Sequence, residues 1–316
     1  MNSVSHTCQS IQRKINETNA IIASSLRSDV SLLQQALSGQ QEQRGKQVRP
    51  TLLIMCAECI QYHGQEDTKL AAIVEMLHLA TLMHDDVIDE ADIRRNRPTI
   101  RRTLGNKSSI LTGDFYYATA FNLIASINNT AITQQIADAT LTILNGEMRQ
   151  WQNHQDQLIC QPTYYQIINE KTAKLFELAT SIVCLTEPEY QAYYPILRKY
   201  GNNLGIAFQI IDDLIDYTPY SGKQIGTDFY EKKVTLPILY LLEQTPPNEQ
   251  QHIRDAFGRD LDYILSQLNR HNILEQCRLE ANSILQTAIT QLGFLPDKEA
   301  TKRLIDYTQS IAKRSH

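Results

Sequence analysis

Three aspartates follow an apolar stretch that begins near residue 70. Asp85, Asp86 and Asp89 are spaced so that, on a helix, their side chains project into about the same volume. Like charges this close repel one another, so the cluster must be solvated or neutralised by a cation, and carboxylate oxygens are ligands that suit Mg²⁺. The spacing therefore indicates either a solvated helix end or a magnesium site.

A second set of aspartates repeats the pattern later in the chain. Asp212, Asp213 and Asp216 again end an apolar run, 127 positions after the first set (212 − 85). One set alone is more often a solvated helix end. Two matched sets favour the metal site, and we expect two helices to deliver these acidic ends into a shared cavity.

Cations accompany both sets, at positions Lys46, Arg49, Arg94, Arg95, Lys223 and Lys233. Lys46 and Arg49 stand at the start of a helix, where the dipole favours an anion. Taken singly, such side chains are ordinary exposed loop charges. Beside carboxylates and a metal, an excess of cations indicates a polyanionic ligand such as a diphosphate, which Arg holds with two parallel hydrogen bonds.

Further polar residues interrupt apolar helices. His78 lies two turns before Asp85 on the same face, where a histidine is usually a core or rim residue. Lys171 and Thr172 break an otherwise apolar face.

Composition narrows the class of protein. The 316 residues are 42% hydrophobic with a net charge of −5, so no overall basic surface is available for nucleic acid. No apolar run is long enough to span a membrane and residues 1–13 are polar, from which we expect a cytoplasmic protein. The six cysteines are scattered and are interpreted as reduced thiols, and the isolated C-x-x-C at Cys56 and Cys59 is a weak metal or redox signal.

The apolar periodicity is helical almost throughout. The spacing predicts helices over 51–62, 67–88, 107–127, 130–152, 162–185 and 189–216, preceded by two and followed by several more. Strand-like alternation is nearly absent and there is no hairpin signal, so we expect no hairpin. The predicted fold is all-α, with residues 1–316 forming a single domain, a large helical bundle around a central cavity.

Five motifs in this order resemble the polyprenyl (trans-isoprenyl) diphosphate synthase family. Along the chain they are the stretch 45–50 (GKQVRP), the first aspartate set, the Lys171-Thr172 pair, the second aspartate set and the stretch 233–237 (KVTLP). The similarity is greatest to bacterial long-chain members of the octaprenyl diphosphate synthase type. Two positions depart from the family pattern, because Glu170 and Lys232 stand where glycine is usual.

The resemblance implies an isoprenoid synthase fold, a homodimer and specific roles for the polar residues. Metal ligands would be Asp85, Asp86, Asp89, Asp212, Asp213 and Asp216, holding Mg²⁺, three ions per active site with substrate bound. Isopentenyl diphosphate would be bound by Lys46, Arg49, His78 and Arg95. The allylic diphosphate would be bound by Arg94, Lys171, Thr172, Gln209, Lys223 and Lys233. Catalysis would depend on Asp85, Asp86, Asp89, Lys171, Asp212 and Asp213.

The implied chemistry needs no protein nucleophile. Metal and cationic side chains take up charge on the departing diphosphate, so that the C–O bond ionises to an allylic cation. The alkene of isopentenyl diphosphate attacks that cation and a proton is lost, in our interpretation to the released diphosphate. The uncharged dipoles of Thr172 and Gln209 shield the cation.

Chain length follows from the residues expected to line the product tunnel. In the family, bulky residues one turn before the first aspartate set stop elongation early, whereas Ala80 and Thr81 stand there in this sequence. Leu123 and Ile124 on a later helix are candidate floor residues. Because each helical turn of about 5.4 Å lengthens the tunnel by about one prenyl unit, we predict a product of about C35 to C45. The expected product is octaprenyl diphosphate, made from farnesyl diphosphate for quinone side chains, with transient membrane contact for its release.

Two other functions share some of these features. A class I terpene cyclase also uses one Asp-Asp-x-x-Asp helix, but its second metal motif differs and it needs no isopentenyl site. A regulatory partner subunit of a heteromeric synthase would keep the fold and lose carboxylates, whereas all six aspartates are present. Elongation of farnesyl diphosphate by the purified chain alone separates these functions.

Overall fold

Helices dominate the part of the chain that the computed structural model describes, residues 2–41, 45–156, 160–218 and 225–313. This confirms the all-α prediction. The helices are α1 Asn2–Ser25, α2 Ser31–Gln41, α3 Val48–Cys59, α4 Asp67–Ile88, α5 Ile100–Leu104, α6 Asn106–Ile127, α7 Thr130–Asp156, α8 Gln161–Ile168, α9 Lys174–Ser181, α10 Tyr194–Ile215, α11 Thr227–Tyr230, α12 Leu236–Gln244, α13 Pro247–Ala256, α14 Leu261–Arg270, α15 Ile273–Gln291 and α16 Lys298–Ala312. None of the helices in these ranges combines the length and apolarity needed to cross a bilayer.

The predicted helix over 162–185 is not continuous. Helix α8 passes into one π-helical turn, Asn169–Ala173, before α9 begins, and a 3₁₀ segment, Ile182–Leu185, follows α9. A π-turn bonds each N–H one residue further back than an α-helix does and is common at functional sites. It contains Lys171 and Thr172, the pair singled out in the sequence.

A short antiparallel hairpin follows α4, and the expectation of no hairpin is wrong at this position. Strand β1, Ile93–Arg94, pairs with β2, Arg97–Pro98. The connecting residues Arg95 and Asn96 both have left-handed backbones, with φ of 53° and 61°. That is the geometry of a two-residue primed turn, which usually contains glycine and is therefore hard to recognise in an Arg-Asn pair.

The described chain divides into two compact units, and the single-domain prediction stays a prediction. Unit one comprises the described residues of Met1–Asp138, Leu178–Pro195 and Leu295–Ala300. Its central helix is α4, which packs against α1, α3 and α6. Most of α4 between Leu70 and Met83 is buried, as expected for a helix that is apolar on nearly every face.

Unit two comprises the described residues of Ala139–Glu177, Ile196–Phe294 and Thr301–His316. Its core gathers apolar side chains from α8, from the end of α10, and from α11, α12, α14 and α15. Tyr164, Ile210 and Leu214 belong to this core. The second aspartate set therefore stands at the end of a helix with a firmly buried apolar face.

Candidate active site

The first aspartate set lies in unit one, at the carboxyl end of α4. Asp85 and Asp89 are partly exposed, whereas Asp86 is only 4% exposed. Asp86 accepts a hydrogen bond of 2.6 Å from Nε of Arg94 in β1. Burial raises the pKa of Asp86, and the guanidinium of Arg94 opposes that rise. The hairpin thus delivers a cation to one of the three carboxylates.

Two arginines interact electrostatically with a buried glutamate in the same unit. Desolvation lowers the pKa of Arg49 to about 10, and the Glu75 carboxylate opposes this shift. Glu75 is 5% exposed, and burial raises its pKa while Arg49 and Arg95 oppose the rise. Glu75 was not assigned to the site from sequence. The signal was available, because a carboxylate within the buried surface of a nearly apolar helix requires a cationic partner.

His78 belongs to one cluster with Arg49, Glu75 and Arg95, as a neutral ring. It retains some exposed surface, but loss of hydration lowers its pKa well below 6.5, and Arg49, Arg95 and Arg94 lower it further. At neutral pH the imidazole can therefore donate or accept a hydrogen bond without adding charge.

The glycine that opens the GKQVRP stretch makes room for Arg95. A Cβ added to Gly45 would lie 2.2 Å from Nη1 of Arg95, so a larger residue here would require the Arg95 side chain to move. Lys46, the next residue, is exposed. The structure thus brings Arg49, His78 and Arg95 into one cluster with Glu75, and places Lys46 in the loop beside it.

The second aspartate set lies in unit two, at the carboxyl end of α10. Asp212 is exposed, whereas Asp213 is 3% exposed and accepts hydrogen bonds from the Tyr164 hydroxyl at 2.7 Å and from Nε2 of Gln209 at 2.9 Å. Burial raises the pKa of Asp213 to about 8, and these two hydrogen bonds oppose the shift. Oδ2 of Asp216 accepts a hydrogen bond from the backbone N–H of Phe229 at 3.3 Å.

The π-turn connects to this set through side chains. The Thr172 hydroxyl donates to Oε1 of Gln209 at 2.8 Å, which continues the chain of hydrogen bonds to Asp213. Lys171 forms an ion pair of 2.6 Å with Glu147 on α7. Thr172 therefore contacts Gln209, and Lys171 lies in the same π-turn as Thr172, while their role in binding substrate stays a prediction. Glu147 and Tyr164 were missed because each resembles an ordinary helix residue.

The departure at Glu170 has a compensating cation. Arg149 on α7 donates to Oε2 of Glu170 at 3.0 Å and to Oε1 at 3.4 Å. Close approach of α7 is possible because Gly146 has no side chain. A Cβ there would lie 2.7 Å from the backbone nitrogen of Lys171.

The loop after α11 contains the second departure. Lys232 has a left-handed backbone with φ of 55°, the conformation in which glycine is usual. Lys233 pairs with Glu231 at 2.7 Å and more weakly with Asp228 at 3.9 Å. Lys223 lies outside the described residues.

The residues proposed to set chain length differ in exposure. Ala80 has no exposed surface and Ile124 is 2% exposed, whereas Thr81 and Leu123 remain partly exposed. The Thr81 hydroxyl donates to the backbone oxygen of His78 at 2.8 Å.

Hard oxygen donors dominate both acidic ends. Across the part of the chain that the structure describes, no three His, Cys, Asp or Glu residues converge as a closed metal cage. Mg²⁺ is commonly bound through one or two carboxylates together with water and substrate phosphate, so exposed aspartates at helix ends suit it better than a closed cage would. Among the six aspartates, Asp86 and Asp213 are buried, whereas Asp85, Asp89, Asp212 and Asp216 retain exposed surface for such an ion.

The helical fold, the two aspartate-ended helices and the cations near each are the features expected of a prenyltransferase, and comparison with known proteins shows the family. Residues 30–269 match the polyprenyl synthetase model, so this chain belongs to that family. It is a polyprenyl diphosphate synthase of the trans type.

Relatives extend over nearly the whole chain. The octaprenyl diphosphate synthase of Escherichia coli strain K12 is 36% identical and aligns over 95% of this chain and 98% of its own. The crystal structure of a decaprenyl diphosphate synthase from Rhodobacter capsulatus superposes with a TM-score of 0.93 at 32% identity, covering 99% of both chains. A polyprenyl synthase from Caulobacter crescentus CB15, solved with calcium and isoprenyl diphosphate, gives 0.89 at 30% identity, covering 99% of this chain and 98% of that one.

Proposed function

We propose that this chain adds isopentenyl diphosphate units to farnesyl diphosphate and produces all-trans octaprenyl diphosphate for quinone side chains, in a Mg²⁺-dependent reaction. The observation that carries the proposal is the cluster of Arg49, Arg95 and His78 around buried Glu75. A cyclase ionises a single diphosphate and has no use for this second anion site. The two kinds of cluster, cationic and acidic, match the two diphosphate substrates of an elongating enzyme.

Isopentenyl diphosphate is assigned to the cationic cluster of unit one. Arg49 and Arg95 supply fixed positive charge, Lys46 adds a mobile ammonium group from the loop, and neutral His78 supplies a hydrogen bond. The Glu75 carboxylate interacts electrostatically with both guanidinium groups and remains buried.

The metal ions are assigned to the two aspartate sets, which the proposal requires to act on one allylic diphosphate. Four of the six, Asp85, Asp89, Asp212 and Asp216, keep exposed surface available for a cation. Asp86 and Asp213 already accept hydrogen bonds from protein donors, which favours a positioning role for these two. Mg²⁺ held by these carboxylates would supply positive charge to the departing diphosphate.

The allylic diphosphate is assigned to Arg94, Lys171, Thr172, Gln209, Lys223 and Lys233. Lys171 and Lys233 are each paired with a glutamate, Glu147 and Glu231. When the diphosphate binds, each lysine must either leave its glutamate or contact the glutamate and the diphosphate together. The two ammonium groups can therefore change partners on substrate binding. When the allylic C–O bond breaks, its electron pair leaves with the diphosphate. The Thr172 hydroxyl and the Gln209 amide stay uncharged beside the resulting cation.

Product length is assigned to Ala80, Thr81, Leu123 and Ile124. Ala80 is fully buried, so a tyrosine there would overfill a packed region and could misfold the protein. A change in product length in that variant would then not identify the tunnel. Thr81 is partly exposed and is the better position. Thr81→Phe is expected to shorten the product, and chromatographic sizing against prenyl alcohol standards measures the change. An unchanged product would place the tunnel elsewhere.

A homodimer is part of the proposal, with a second copy of this chain covering an apolar face of α7. Leu141, Leu144, Met148 and Trp151 lie on one helix face and are between 45% and 63% exposed. Size-exclusion chromatography with light scattering is expected to give twice the chain mass. Met148→Glu should shift the protein toward monomer, whereas Phe294→Glu, a change at an exposed aromatic residue elsewhere, should not.

The direct test is incubation of purified protein with farnesyl diphosphate, isopentenyl diphosphate and Mg²⁺. We expect a product of about eight prenyl units. We assign the protein to the cytoplasm, with transient membrane contact while the product is released. A cyclic hydrocarbon in the absence of isopentenyl diphosphate would support a cyclase. No elongation by the chain alone would support a partner subunit.

A further inference from the structure

Helix α1 is attached to the rest of unit one at two polar positions. Lys14 forms an ion pair of 2.5 Å with Asp67, the first residue of α4. Asn19, five residues later, forms a reciprocal amide pair with Gln47. Its Nδ2 donates to Oε1 of Gln47 at 3.1 Å, and Nε2 of Gln47 donates back to Oδ1 of Asn19 at 2.8 Å. Apolar residues Ile15 and Ile22 of α1 are buried.

Gln47 occupies a special place in the chain. It follows Lys46, lies two residues before Arg49 and is the residue preceding the first turn of α3. Its backbone is left-handed, with φ of 47° and ψ of 46°, and its side chain does not cap the helix. Left-handed backbones are unfavourable for residues other than glycine and persist where surrounding contacts hold them. The amide pair with Asn19 is such a contact.

We propose that Asn19 is a positioning residue for isopentenyl diphosphate, and this rests on the assignment of Lys46 and Arg49 to that substrate. Both hydrogen-bonding groups of the Gln47 amide are satisfied by one side chain, so its rotamer is fixed. The Gln47 carbonyl in turn accepts from the backbone N–H of Thr51 at 3.1 Å and from its hydroxyl at 2.8 Å. Asn19 therefore sets the direction in which the chain enters α3, and with it the positions of Lys46 and Arg49.

The alternative is that α1 only stabilises unit one. The two attachments allow these roles to be tested separately. Lys14 connects α1 to α4, whereas Asn19 connects α1 to Gln47, which lies between Lys46 and Arg49. The family match begins at residue 30, after the end of α1. A contribution of α1 to the substrate site is thus not part of the matched motif region.

The experiment compares steady-state kinetics of four single variants in the full chain. Asn19→Ala is expected to raise KM for isopentenyl diphosphate about fivefold, the loss expected from one neutral hydrogen-bonded pair. KM for farnesyl diphosphate and kcat should change less than about twofold. Lys14→Met should lower Tm without raising either KM. Asn16→Ala, at an exposed residue of the same helix, should change neither Tm nor either KM. Lys46→Ala tests the substrate assignment itself and should raise KM for isopentenyl diphosphate.

Each result separates the two claims. If Lys46→Ala raises KM for isopentenyl diphosphate and Asn19→Ala does not, the positioning role is refuted and the substrate site stands. If Lys46→Ala has no effect on that KM, both are refuted. Should Asn19→Ala fold poorly, Gln47→Ala removes the same pair from the other side and must give the same KM change. The double variant Asn19→Ala/Gln47→Ala must have a KM for isopentenyl diphosphate no higher than that of either single variant. Additive increases in KM would contradict a shared contact.

Discussion

Gly146 on α7 is the position where a single methyl group should disturb the allylic site most selectively. A Cβ in Gly146→Ala would lie 2.7 Å from the backbone nitrogen of Lys171 and 2.8 Å and 3.0 Å from Cβ and the carbonyl carbon of Glu170. Two of these three atoms are backbone, so relief requires movement of the π-turn rather than rotation of a flexible side chain. The turn carries Lys171 and Thr172, which we assign to the allylic diphosphate.

The energetic effects of this substitution oppose each other. Alanine gains about 1 kcal/mol over glycine in a helix interior. Overfilling a packed contact costs about 1 to 3 kcal/mol. The net change in the free energy of unfolding is therefore small, between about zero and 2 kcal/mol of destabilisation. A displacement of up to about 1 Å at reacting groups costs up to about 100-fold in rate, so we expect kcat to fall about 10- to 100-fold.

The assay measures kcat and both KM values for elongation, together with urea unfolding. Gly39→Ala in α2 is the matched control, because an added Cβ there meets nothing within 4 Å. It should leave kcat unchanged and unfold at equal or higher urea concentration. A Gly146→Ala enzyme with wild-type kcat and farnesyl diphosphate KM would refute the claim that the π-turn positions Lys171 and Thr172 for catalysis.

Three further perturbations test separate parts of the site. Lys232→Gly should stabilise the protein by up to about 1 kcal/mol in urea unfolding, because it removes a left-handed non-glycine residue, and a clear loss would contradict this. His78 has a pKa held well below 6.5, so the unfolded chain gains a proton that the folded chain resists as pH falls below 6.5. The free energy of unfolding should therefore fall as the pH is lowered, and it should fall less steeply in His78→Gln. Equal slopes against pH in the two proteins would refute the lowered pKa of His78. Arg149→Gln leaves Glu170 without its guanidinium partner and should raise KM for farnesyl diphosphate about threefold, with that for isopentenyl diphosphate unchanged.

The acidic helix ends could be predicted from sequence because the information is local. Helix α4 has the predicted bounds, 67–88, since an apolar stretch of that length has few alternatives to a helix. The aspartates at its end follow from simple counting. Both sets are therefore predictable without any knowledge of tertiary structure.

The positioning residues could not be predicted in the same way. Tyr164 looks like a core aromatic residue until its hydroxyl is seen to donate to Asp213. Local propensity does not distinguish an α-turn from a π-turn at residues 169–173, and the close approach of α7 at Gly146 is a tertiary contact at that turn. The Arg95-Asn96 turn lacks the glycine that normally marks a primed hairpin. These features depend on tertiary contacts that a single sequence does not encode locally.

The central proposal is that the two aspartate sets act together on one diphosphate through shared metal ions. The most direct measurement is a crystal structure with Mn²⁺ in place of Mg²⁺ and the unreactive thiolo analogue of farnesyl diphosphate, with anomalous scattering used to place the metal. We predict Mn²⁺ ions that contact the same diphosphate, with Asp85 or Asp89 among the ligands of some and Asp212 among the ligands of another. Metal bound at one aspartate set only, or at two sets with no diphosphate in common, would contradict the proposal.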